Sequence, residues 1–142
     1  MIPKWEEKQY CYRCNQIESI EHILIRCIEN HQEDIWKRVN TLMITLGEED
    51  WTNPEMNSIM ASGSIQVNSQ NMREKAIRQK RIRTVLTETI WTIWKLRNKE
   101  IFKEKNMEKK QWESAWEKNI AERIKLKYSI ITGSNTKEWK RK

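Results

Sequence analysis

Three cysteines and one histidine constrain this chain more than any other feature. They are spaced Cys11-x2-Cys14, then seven residues to His22, then four to Cys27. The motif consumes every cysteine in 142 residues. Three thiols cannot all pair as disulfides within one chain, so a disulfide scaffold does not account for them. Two cysteines separated by two residues fit one tight turn that aims both sulfurs at a point. His22 and Cys27, five residues apart, stand about 140° apart around a regular helix and do not share a face. Cys27 is therefore expected at or beyond the end of the helix that carries His22, where the chain can turn back. Four N and S donors converging in this way suit a tetrahedral Zn²⁺, and the metal ligands are read as Cys11, Cys14, His22 and Cys27. His31, four residues after Cys27, is a rival ligand. Three thiolates and one neutral imidazole give the site a charge of about −1 and leave no open position for a catalytic water. The expected job is structural, with folding energy on the order of 10 kcal/mol.

The remaining chain reads as helical. Three glycines and two prolines are too few for a turn-rich β-sandwich or barrel. Ser19 is placed to cap the helix IEHILIRCIEN. A second helix starts near Asn30 or His31 and stops at Gly47, with Ile35, Trp36, Val39, Leu42, Met43 and Leu46 as one apolar stripe. Asn53-Pro54 opens a short helix before Gly63, and ASGSIQVNSQN is the best linker in the chain. A long helix from about Asn71 to Lys105 carries Ile82, Val85, Leu86, Ile90, Ile93, Leu96 and Ile101 on one side. A last helix, from about Met107 to Ile131, carries Trp112, Ala115, Trp116, Ile120 and Ile124. The expected fold is all-α: an N-terminal zinc knuckle followed by a helical bundle with two long C-terminal helices. Its parts are a knuckle over residues 1–30, an acidic helical segment packed on it over 31–64, a linker over 65–71, a long basic hairpin over 72–132 and a frayed basic tail over 133–142.

The net charge of +7 hides a division. Residues 1–70 hold six Lys/Arg and eleven Asp/Glu, net −5, and residues 71–142 hold twenty-one and nine, net +12. A polyanion is drawn to the second half. Arg73, Lys75, Arg78, Lys80, Arg81 and Arg83 cluster near a helix N-terminus, where the macrodipole disfavours cations. Phosphate contact explains them better than local helix stability does. On an ideal helix, however, the six spread around all sides, and a merely solvated face competes with the nucleic-acid reading. Trp91, Trp94, Trp112 and Trp116 could stack on bases, but their helical spacing favours core or dimer-interface roles. Arg97, at the edge of the apolar stripe, is expected to snorkel or pair with a carboxylate. No catalytic constellation is found, and the chain is not expected to be an enzyme or to take a small-molecule substrate. No apolar run approaches the roughly 20 residues that span a bilayer. The start has no signal-peptide h-region, so an intracellular protein, nuclear or cytoplasmic and not secreted, is expected.

The stretch CYRCNQIESIEHILIRC resembles the C-terminal zinc-binding segment of LINE-type (non-LTR) retrotransposon reverse transcriptases, especially fungal ones. The resemblance rests on Cys11, Cys14, Glu18, Ser19, Glu21, His22, Ile23, Leu24 and Cys27. Farther on, Ile35-Trp36 is similar to the family's helix after the knuckle, and Trp94-Lys95-Leu96-Arg97 to its Trp-Lys-x-Arg signature. It implies a nucleic-acid-associated accessory module, either part of such a polymerase or a domesticated descendant. No polymerase, RNase H or endonuclease acid motif is present in these residues. The expected function is zinc-stabilised binding of RNA or DNA with low sequence specificity. The competing reading is a helical interaction module, with a homodimer through the Trp-containing helices and a purely structural zinc.

Overall fold

A computed structural model describes residues 10–27, 29–48, 51, 52, 55, 67 and 69–124. The short helix expected after Asn53-Pro54 (Glu55 apart), residues 65, 66 and 68 of the linker, the end of the last helix beyond Ile124 and the tail over 133–142 lie outside the described residues. The protein is all-α. A single turn of π-helix, His22–Arg26, precedes three α-helices: α1 (Gln32–Thr45), α2 (Met72–Lys103) and α3 (Lys109–Ile124). Among the described residues no strand forms, only an isolated antiparallel bridge between Tyr10 and Ile17.

Each helix ends where its local chemistry dictates. The Asn30 side-chain oxygen accepts from the Gln32 N–H at the start of α1 (2.9 Å). Glu33 and Asp34 then complement the dipole in the first turn. Gly47, at φ +87°, takes the left-handed position beyond the helix. There the Gly47 N–H reaches the Ile44 carbonyl (3.0 Å) and the Glu48 N–H the Met43 carbonyl (2.9 Å), the Schellman pattern. Asn71 caps α2 by accepting from the N–H groups of Arg73 and Glu74. The same Schellman pattern closes α2, with Glu104 instead of glycine in the left-handed position. At the start of α3 the Gln111 side chain reaches back to the Glu108 N–H (2.8 Å), half of a capping box.

The apolar stripes meet in one core. Ile23 and Leu24 of the π-turn join Ile35, Val39, Leu42 and Met43 of α1 and Ile82, Val85, Leu86 and Ile93 of α2. Trp112, Trp116 and Ile120 of α3, all fully buried, complete the cluster. The helices α2 and α3 form an antiparallel hairpin. Trp112 bonds Glu100, Asn119 bonds Thr92 and Arg123 pairs with Glu88, so positions rise along one helix as they fall along the other. Trp116 adds a second buried polar link, donating its indole N–H to Thr89 (2.8 Å). Arg38 fastens α1 to α3 through Glu113 (3.0 Å) and Glu117 (2.5 Å).

A carboxylate sits at the centre of this packing. Glu100 is i+4 from Leu96 and i+7 from Ile93, on the inward side of α2, and is almost wholly buried. It accepts from the Met107 N–H (2.6 Å), the Trp112 indole N–H (3.2 Å), the Tyr12 hydroxyl and the Arg13 guanidinium. Burial by itself would raise its pKa. The hydrogen bonds from Arg13 and Tyr12 outweigh that and hold the carboxyl below its ordinary value. Burial likewise opposes the charge on Arg13, and the bond to Glu100 reverses the effect and raises its pKa.

Glu100→Ala would leave Arg13 buried without its counter-charge, a defect that typically costs about 3–5 kcal/mol. Urea denaturation of the variant should show a loss of that order. Asn71→Ala, at an exposed cap, should lose only about 1 kcal/mol. The Glu100 contribution should be complete above pH 4.5, the unperturbed value, and disappear as pH falls through the lowered native value.

Candidate metal centre

The two cysteines of the first pair are presented by a closed turn. The Cys11 N–H donates to the Gln16 carbonyl (2.7 Å) and the Asn15 N–H to the Cys11 carbonyl (2.9 Å). Asn15 takes a left-handed conformation, φ 62°, which asparagine tolerates better than most residues. The Tyr10–Ile17 bridge clamps the two ends of the turn. Downstream, the Ser19 hydroxyl accepts from the His22 N–H (3.0 Å) and the Ser19 carbonyl from the Ile23 N–H, so Ser19 starts the helical segment as expected.

The path from His22 to Cys27 is where the structure departs from a regular helix. The Cys27 N–H closes onto the His22 carbonyl (2.9 Å), an i→i+5 bond, and Cys27 itself is extended at φ −66°, ψ 120°. The wider π-turn reduces the angular separation that kept His22 and Cys27 off a common face, and the extended Cys27 makes up the rest. Cys27 therefore lies just past the helical turn, as the spacing requires. A turn of this kind frees carbonyls that need partners. α1 supplies them: Trp36 donates to the Leu24 carbonyl (2.7 Å), and Gln32 donates to those of Ile25 and Cys27 (2.8 Å each).

The ligand atoms of Cys11, Cys14, His22 and Cys27 all lie within 4.8 Å of one another, a group able to hold a metal ion. Sγ of Cys11 is 3.8 Å from that of Cys27, which is 3.9 Å from Cys14 Sγ, and Cys14 Sγ is 3.2 Å from His22 Nε2. The sulfurs are nowhere near the roughly 2.05 Å of a disulfide. Cys11, His22 and Cys27 are buried and Cys14 is half-buried. Burial pushes the Cys27 thiol up to about 12 and moves the His22 imidazolium down. In the absence of a cation Cys27 thus keeps its proton, while His22 stays neutral and able to donate a lone pair.

His31 is placed elsewhere. Its Nε2 donates to the Met107 carbonyl (3.1 Å), its Nδ1 lies 3.4 Å from Asp34, and its ring meets Trp112 edge-on at 5.8 Å. The rival ligand is a packing residue. Arg97 pairs with the nearly buried Glu18, as its position at the stripe edge suggested. Burial lowers the Arg97 pKa. Sequence reasoning missed the contacts of the two residues inside the Cys-x2-Cys turn. Tyr12 and Arg13 run from the metal turn directly to Glu100, and Arg13 also donates to the Glu29 carbonyl (2.8 Å). The available signal was a glutamate at an inward position of an otherwise apolar stripe.

The six candidate nucleic-acid residues separate into two groups. Arg78 forms a fork with Glu48 (2.6 and 3.0 Å), and Arg81 lies 3.8 Å from the same buried carboxylate. These two close α2 against the end of α1 while keeping part of their side chains in solvent. Arg73, Lys80 and Arg83 are exposed and Lys75 is half-buried.

No family model, no curated protein and no solved structure matches the chain. Among the described residues no helix is long and apolar enough to cross a membrane.

His22→Ala should reduce metal affinity by more than the roughly 10–100-fold typical of losing a residue that only supports a ligand, whereas His31→Ala should leave it intact. Competition titration with a chromophoric chelator reads both. Metal must displace the Cys27 proton, so binding should release protons and weaken steadily as pH falls.

Proposed function

We propose that this chain is a zinc-stabilised nucleic-acid-binding accessory module of low sequence specificity, belonging to or descended from the C-terminal segment of a LINE-type reverse transcriptase. Zinc is favoured by the donor set, because three thiolates and an imidazole are soft, tetrahedral ligands. The spacing of the sulfurs agrees. A tetrahedron with Zn–S of about 2.3 Å has edges near 3.8 Å, and the two sulfur separations from Cys27, to Cys11 and to Cys14, are 3.8 and 3.9 Å. Four protein donors fill the shell, which suits a structural ion and leaves water no place to be activated.

The observation that carries the binding reading is the set of unpaired cations on α2. Among the described residues Arg73, Lys80 and Arg83 meet no carboxylate, although the chain's acidic groups pair readily elsewhere. Cations left in solvent near a helix N-terminus gain nothing from the dipole and are free to neutralise phosphates. The metal turn, in the acidic half and tied to Glu100, is read as the staple of the fold and not as the contact surface. A second reading, homodimerisation, draws on the exposure of Trp91 and Phe102 on the same helix.

Mass spectrometry under native conditions should find one zinc per chain. Binding to RNA or DNA should fall steeply with salt. Changing Arg73, Lys80 and Arg83 together to Gln should flatten the log–log salt slope by about 2–3, at roughly 0.7–0.9 for each phosphate no longer neutralised. An unchanged slope would overturn the assignment. Arg78→Gln should instead destabilise the fold, since Glu48 would lose its fork.

A further inference from the structure

The solvent side of α2 has a composition that its function as a packed helix does not require. At about 100° per residue, the buried positions Ile82, Val85, Leu86, Thr89, Thr92, Ile93, Leu96 and Glu100 define one side. Within about 65° of the opposite direction stand Arg73, Lys80, Arg83 and Lys95 together with Trp91 and Phe102. None of the three glutamates of α2 that precede its C-cap falls in that sector: Glu100 points into the core, Glu88 turns toward Arg123 of α3, and Glu74 lies about 120° away. The stripe is thus cationic without interruption. Its aromatic residues are open, Trp91 at 53% exposure and Phe102 at 89%. The Lys95 ammonium lies 5.6 Å from the Trp91 ring centroid, so an anion that follows a base onto this indole meets a cation at once.

From this we infer that the outer face of α2 is a binding track for unpaired nucleic acid, with Trp91 as a base-stacking platform and Phe102 as a second. The inference rests on the proposed nucleic-acid reading and narrows it to single strands. A duplex keeps its base faces stacked inward and can use only the cations. An unpaired strand can use both, placing phosphates on Arg73, Lys80, Arg83 and Lys95 and a base on the indole. The eleven residues from Trp91 to Phe102 span about 16 Å along the axis. That exceeds the roughly 3.4 Å rise between neighbouring bases severalfold, so the two rings receive separate bases of one strand. A second copy of the chain fits this face poorly. Apposing the face to itself sets four cations against four with no carboxylate between them, and like charges so placed repel.

The full zinc-loaded chain would be titrated, by fluorescence anisotropy, with a labelled single strand of mixed sequence and with its duplex, at two salt concentrations. The wild type should prefer the single strand. Trp91→Ala should lower single-strand affinity by between about 5-fold and about 100-fold, the range for losing one stacked base, with the salt slope unchanged and duplex binding unaffected. Trp91→Phe should retain most of the affinity. Because Trp91 is half in solvent, circular dichroism and thermal unfolding should show both variants folded. Steep salt-dependent binding that ignores Trp91, or equal binding of strand and duplex, overturns this inference alone. No binding of either form at low salt overturns the nucleic-acid reading with it. A concentration-dependent dimer that Trp91→Ala abolishes assigns the face to self-association and overturns the inference.

Discussion

A single buried carboxylate organises the described part of this protein. Glu100 sits one turn from the end of α2, yet its two oxygens receive groups from three separate places in the chain: the Cys-x2-Cys turn, the α2–α3 connection and the first buried tryptophan of α3. A carboxylate in that position is costly unless every lone pair finds a donor, and the cost makes the arrangement selective. Only when the metal turn, the connection and α3 are all docked is the charge satisfied. A well-packed apolar residue could fill the same volume but would not require Tyr12 and Arg13 to be there.

The four-donor cluster and the Glu100 network are two ends of one device. Tyr12 and Arg13 stand between Cys11 and Cys14, so the geometry that converges the sulfurs also aims the phenol and guanidinium outward at α2. On the other side of the cluster, the π-turn brings Cys27 round and exposes carbonyls that Gln32 and Trp36 of α1 complete. A bound ion would therefore couple α1 and α2 through the chain segments that hold it. This is a physical reason to regard the proposed zinc as a staple: its ligands are consumed, and their neighbours are committed to the core.

The charges of α2 are also divided by structure. Glu48, held at the Schellman turn that ends α1, draws Arg78 and Arg81 inward and neutralises part of the basic cluster. What remains outside is a narrower set of cations joined by Lys95, interleaved with open aromatic rings. Paired charges near Glu48 hold helices together, while unpaired ones on the far side give the field that a polyanion feels. The two faces of this one helix are electrostatically distinct.

The sequence by itself determined the all-α class, the four donors, the stripes of α1, α2 and α3, and the stop at Gly47. Each of these is local: a spacing, a periodicity or a residue that enters the left-handed region at no steric cost. The rule that Cys27 must lie beyond a regular helix was legible too, since it follows from five residues at helical pitch. The π-turn that achieves it was not, because its stability comes from Trp36 and Gln32 on another helix. Tertiary structure alone decided that His31 packs against Trp112, that Arg97 pairs with Glu18, and that Glu100 is the hub. It also decided which arginines of the basic cluster stay in solvent, because that depends on Glu48, thirty residues before Arg78, arriving beside it. A charge in a sequence has a sign but no partner. Only the packing of distant segments assigns one.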